Sequence, residues 1–308
     1  MTIESFFSAV AALSGLLFVV ASMLGTGLSL TVSQIVRPLK NVPLVILALV
    51  ANFVLVPLLA WGITSLLTLD EPLRIGLIVL STVAGAPFLV KEIQAAKGDL
   101  ALGVGLMFLM MIVTIAYVPL VLPRLLSGVE VDAWAIAKSL IVTMLVPIVI
   151  GLLWKSHSGE SAKNWAPVMN KISGISLLLL LVTGLGLNIS NIISLIGSRG
   201  FLALILFIVG SFVIGFLLGG RKPATRSVLG LGTAQRNVAA AILVTSLNFS
   251  GTMTLPFVLV AAILLPVILI PAARMLGRRG EAAVLVAAVP PAAEAAAGEP
   301  ADTSVPAP

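Results

Sequence analysis

Runs of about 20 apolar residues recur along this chain from end to end, each parted from the next by a few polar ones. VPLVILALVANFVLVPLLAW (42–61) and LALGVGLMFLMMIVTIAYVPLVL (100–122) show the pattern. Such runs match the thickness of a bilayer, and a soluble core has no use for so many. The whole chain agrees: 59% of its 308 residues are hydrophobic, 10% are charged, and the mean hydropathy is +1.20. Membrane β-barrels alternate apolar and polar residues, and nothing here alternates. The expected fold is an all-α polytopic membrane protein.

About nine spans are expected, near 6–30, 42–68, 72–96, 99–125, 133–154, 166–190, 199–220, 225–249 and 252–276. Basic residues orient them. Arg37, Lys40, Lys97, Lys155, Lys163, Arg221, Lys222, Arg226 and the group at 274–279 fall in alternate loops, with only Arg74, Arg124 and Arg199 opposite. The positive-inside rule then places the amino terminus outside and the carboxyl terminus in the cytoplasm, in a bacterial-type inner membrane. The net charge of +6 is thus spent on topology, and no nucleic-acid partner is expected. Glu4 and the lack of a basic amino-terminal region argue against a cleaved signal, so the first run should stay as a span. From 280 to 308 the chain turns to Ala, Pro and Glu and reads as a disordered tail.

Chemistry is scarce. There is no cysteine, and the single histidine, His157, sits in the polar stretch KSHSGESAKN as a loop residue. No metal-ligand spacing or catalytic set occurs, so neither an enzyme nor a bound cofactor is expected. Asn188, Ser190 and Asn191 close the sixth span as a helix end. Thr114, Thr143 and Ser211 read as contacts between helices.

Two spans are interrupted. In RIGLIVLSTVAGAPFLVKEIQAAKG, Gly85 and Pro87 break the apolar half, and Lys91 and Glu92 follow. In RSVLGLGTAQRNVAAAILVTSLNF, Gly230 and Gly232 are the expected breakers, followed by Thr233, Gln235, Arg236 and Asn237. Glycine relaxes the backbone, and proline removes a donor and clashes with the preceding turn. Broken backbone at membrane depth survives only inside protein or along a cavity. Two interruptions at corresponding places in two halves point to a transporter's binding site. The two lie in the third and eighth spans, five steps apart, and an odd number of steps gives the opposed orientations that an inverted repeat needs. Lys91 has a plainer reading, in a cytoplasmic amphipathic helix among headgroups. Arg236 has less escape, because apolar residues flank it mid-span. Glu92 is the candidate counter-ion for either cation.

The chain resembles the bile acid:sodium symporter family. LGTGLSL (24–30), NVPLVILALVANFVLVPLLAW (41–61), AAKGDLALGVGLM (95–107) and GTAQRNVAAAILVTSLNF (232–249) carry the likeness in order, and it covers residues 20–276. The resemblance implies a panel domain (1–41 and 133–190) and a core domain (42–126 and 199–276) whose two discontinuous helices cross. It also implies an organic-anion substrate such as a bile acid, another carboxylate or a sulfonate, moved by alternating access. Coupling to sodium is implied too, with Asn52, Gln235 and Asn237 as surviving amide ligands. Other positions depart from the family: Leu89 and Val90 replace a Ser-Asn pair, Gly103 and Met107 stand in for hydroxyls, and Gly230 replaces a glutamate. Lys91 and Arg236 could supply the missing positive charge, leaving sodium, proton coupling through Lys91 or Glu92, or uncoupled exchange open. A channel or sensor on the same fold is the remaining alternative. The oligomeric state is not readable.

Overall fold

The computed structural model describes residues 3–126, 131–187, 190, 193, 195, 198–249 and 251–288. No strand occurs among them. The principal helices are α1 (Ile3–Ser29), α2 (Val42–Leu66), α3 (Glu71–Thr82), α4 (Leu89–Ala95), α5 (Leu100–Leu125), α6 (Ala133–His157), α7 (Gly159–Leu187), α8 (Arg199–Leu218), α9 (Pro223–Ala234), α10 (Val238–Asn248) and α11 (Thr254–Ala288). Among the described residues, eight stretches are long and apolar enough to cross a membrane, counting α9–α10 together as Pro223–Asn248. The remaining expected span, 72–96, is the α3–α4 pair, whose pieces of 12 and 7 residues are each too short alone. The last helix runs to Ala288, into the segment assigned to the tail; residues 289–308 lie outside the described residues, as do Asn188 and Asn191.

Polar residues between the apolar runs set the helix starts. Asp99 accepts from the Leu102 amide at 3.0 Å, and Asp132 accepts from the Trp134 and Ala135 amides. Ser198 does the same for Gly200. Each side-chain oxygen satisfies a donor that a helix's first turn leaves orphaned. Prolines shape the interiors. Pro57 has no N–H to offer the preceding turn, and α2 loosens into a π-helical turn over Ala51–Leu55. The Phe53 carbonyl that this leaves over is taken by the Tyr117 hydroxyl of α5 at 2.6 Å. A second π-helical turn, Ile141–Leu145, precedes Pro147 in α6.

Two groupings stand out. α1 packs along α7 and across α6, while α8 lies along α9 and touches α2 and α11. The α1–α6 crossing is close because glycines face each other. A methyl group on Gly27 would strike the Ile148 carbonyl, and one on Gly151 would meet the Leu24 carbonyl at 2.7 Å. Most spans turn an apolar face outward and bury 28–50% of their most apolar stretch; the α9–α10 span buries 83% and is enclosed by its neighbours.

Replacing Gly151 by Val should separate α1 from α6 and lower stability by about 1–3 kcal/mol, the usual cost of overpacking. Gly62, with open space around it, is the control. Equal thermal unfolding midpoints for Gly151→Val and Gly62→Val in detergent would show that the crossing is not close.

Candidate functional site

The first interruption runs from Val83 to Phe88. α3 stops at Thr82, Val83 is extended, and Gly85 takes a φ of +77°. A side chain at 85 would drive into the α5 backbone at Met107 and Met111, so both conformation and space demand glycine. Pro87 adds no donor, and the helix resumes at Leu89. The exposed backbone groups find partners at once. The Ala84 amide donates to Thr114 Oγ1 at 2.9 Å, and that hydroxyl donates back to the Ala84 carbonyl at 3.1 Å. Thr114 is therefore the residue of α5 that closes the first break, a role beyond the interhelical contact expected from sequence.

The second interruption is displaced from its expected place. Gly230 and Gly232 do not break the helix: α9 runs through both to Ala234. Their missing side chains serve packing, since a methyl on Gly230 would press on Phe212 and Phe216 and one on Gly232 on Leu89. The chain leaves the helix at Gln235, which is extended, and restarts at Val238. Asn237 caps α10 by accepting from the Ala240 amide at 3.2 Å.

The two interruptions meet. The Asn237 amide donates to the Val83 carbonyl at 3.3 Å, and its side-chain nitrogen donates to the Gly85 carbonyl at 3.1 Å. Arg236 is fully buried and donates to Asn52 Oδ1 of α2, the Thr233 carbonyl of α9 and the Ser81 carbonyl of α3. Asn52 sits in the π-helical turn, held by the Ala48 carbonyl and by Thr233 Oγ1.

Glu92 is not the counter-ion of either cation. Helix α4 turns Lys91 outward, with its ammonium 5.6 Å from the centre of the Phe88 ring, and turns Glu92 inward, where both carboxyl oxygens lack a hydrogen-bond partner. Neighbours in a helical sequence point about 100° apart, which is enough to part them. Gln235 Oε1 and Arg236 Nε are likewise buried without partners.

Beside the crossing lies a cavity of about 510 Å³. Its floor is the two interruptions: Ala86, Pro87 and Phe88 from one, and Gln235, Arg236 and Asn237 from the other. Lys91 and Gln94 of α4 continue that wall, and α1 and α7 close the opposite side with Ser22, Thr26, Asn170 and Ser173. Its lining includes two basic residues, Lys91 and Arg236, and no acidic one. Of the residues expected at a site, Pro87, Lys91, Gln235, Arg236 and Asn237 line the cavity. Asn52, Gly85, Gly232 and Thr233 cluster behind the crossing, and Glu92 lies apart from both.

Discontinuous helices that cross inside a bundle, with polar groups turned to a cavity, are an arrangement found in many membrane transporters. A match to the Sodium Bile acid symporter family spans residues 16–195, more than half of the chain. The chain belongs to that family. Among curated relatives, the probable sodium/metabolite cotransporter BASS3, chloroplastic, of Oryza sativa subsp. japonica is 28% identical over 72% of this chain and 54% of its own length. Its counterpart in Arabidopsis thaliana is 31% identical over 64% and 45%. The uncharacterized protein YbaS of Bacillus subtilis is 28% identical over 70% and 72%. The chain spans about half the length of the plant relatives it matches.

Thr114→Val leaves the Ala84 amide and carbonyl unpaired at membrane depth and should cost about 1–3 kcal/mol for each group. Thr143→Val loses only a bond to its own helix, at the Ser139 carbonyl, and should cost far less. Indistinguishable unfolding midpoints would contradict the bracing role. Glu92→Met removes a buried carboxyl with no partner and should raise the midpoint; a fall of several degrees would mean that Glu92 has an interaction the structure lacks.

Proposed function

We propose that this chain is a secondary transporter that carries a small organic anion across the membrane by alternating access. The observation that carries the reading is the cavity at the helix crossing. Its volume lies in the range of about 300–1,000 Å³ usual for small-molecule sites. The charge displayed in its lining is that of Lys91, with the Arg236 guanidinium buried behind the wall and no acidic residue beside them. The amino-terminal end of α10, at Val238 and Ala239, forms part of the wall, and helix starts favour negative charge. Phe18, Leu30, Met107 and Leu177 supply apolar surface, so an amphipathic carboxylate or sulfonate suits the mixture better than an inorganic ion. The relatives' names speak of metabolite cotransport, which agrees with a small-molecule cargo.

Alternating access would follow from motion of the α1, α6 and α7 group, the panel, against the remaining helices, the core. The cavity lies between the two groups, so such rocking would open it to one face and then the other. Ser29 and Gln94 sit at helix ends that the basic loops mark as cytoplasmic. A cavity lined by both fits an inward-facing conformation.

The reading is tested with a thermal-stabilisation screen of carboxylates and sulfonates on purified protein, followed by counterflow of the best ligand in proteoliposomes. A carrier exchanges labelled for unlabelled anion without net current, whereas a channel conducts. Lys91→Gln should weaken the anion about tenfold, a loss of about 1.4 kcal/mol. Lys155→Gln, at the end of α6, should leave binding intact. If the Lys91 variant binds the anion as well as the parent, the cavity is not the site.

A further inference from the structure

The last turn of any helix leaves carbonyls unpaired and gathers about half a negative charge there. At this crossing two such ends converge, with the Ser81 carbonyl closing α3 and the Thr233 carbonyl closing α9. The Asn52 side-chain oxygen, delivered by the π-helical turn of α2, completes a group of three oxygens. Carbonyl and amide oxygens at the ends of broken helices are the donors that transporters use to hold a free cation. Here the set is taken. Arg236 folds back from the second interruption and places Nη2 on Asn52 Oδ1 and the Thr233 carbonyl and Nη1 on the Ser81 carbonyl, with no exposure to solvent.

A sodium ion does not fit beside it. Every oxygen of the group already accepts from the guanidinium, and no carboxylate is present to offset a second positive charge. Glu92, buried in α4, forms no bond to Arg236, the Val83 and Gly85 carbonyls are taken by Asn237, and Gln235 Oε1, buried without a partner, is a single oxygen where sodium needs several.

We infer that Arg236 is a tethered cation that replaces sodium at the helix crossing, so that the chain binds no sodium there and does not draw on a sodium gradient. The inference rests on the crossing being the transport site, but its test needs neither substrate nor transport. Purified full-length protein is unfolded thermally in sodium chloride and in choline chloride at equal ionic strength, and bound radioactive sodium is measured at equilibrium. The parent protein is expected to show the same midpoint in both salts and no saturable sodium binding. Arg236→Ala vacates the three oxygens and should unfold several degrees lower in choline, with part of the loss restored by sodium, as for any ligand that binds only the folded state. Arg236→Lys keeps the charge and should remain indifferent to sodium; its result, with that of the parent, decides the matter where the alanine protein does not fold. Saturable sodium binding by the parent overturns the inference. A folded alanine protein that ignores sodium, or a lysine protein that responds to it, overturns it equally. Failure to find a transported anion would leave all of these outcomes unchanged.

Discussion

Inside a bilayer a backbone amide or carbonyl that leaves its helix has no water to turn to. The structure around residues 83–88 and 235–237 is governed by that constraint. Each interruption frees several polar groups, and each supplies partners for the other: Asn237 spans to Val83 and Gly85, and Arg236 reaches the Ser81 carbonyl. Thr114 and Asn52, from α5 and α2, take others. Neither broken helix could persist alone in lipid. Together they form one buried polar knot, and the enclosure of the α9–α10 span follows from it.

The knot also fixes where chemistry can occur. Its rear face is filled by the Arg236 guanidinium, Asn52 and Thr233, and its front face opens on the cavity with Pro87, Gln235 and Asn237. A permanent charge held at the rear lends a positive field to the front, and Lys91 adds a mobile charge at the rim. The α1 and α7 wall faces it with hydroxyls and an amide. The division of labour is physical: rigid hydrogen-bonded backbone on one side, adaptable side chains on the other.

Much of this was legible in the sequence, for identifiable reasons. Long apolar runs allow only membrane helices, and Gly85 with Pro87 leaves a helix no way through. The polar cluster at 235–237 marked a buried site because nothing nearby lets Arg236 reach water. Other features needed coordinates. Gly230 and Gly232 resemble breakers, but their work is to admit Phe212, Phe216 and Leu89, and a sequence does not distinguish a glycine that bends from one that makes room. Thr114 is one threonine among several, and only the position of the Ala84 peptide singles it out. Lys91 and Glu92 are adjacent in the chain and face apart in the helix, so their apparent pairing dissolved once the phase of α4 was known.

The cavity at the crossing is the proposed path of transport, and its access from either side of the membrane can be measured. The chain has no cysteine, so a single cysteine at Ser173, on the α7 wall, reports on it cleanly. Membrane vesicles carrying Ser173→Cys are treated with a membrane-impermeant thiol reagent added to one face or the other. Slow labelling from both faces, with no ion leak, is expected of a cavity that opens to each in turn. Labelling confined to one face, however long the exposure, would contradict it.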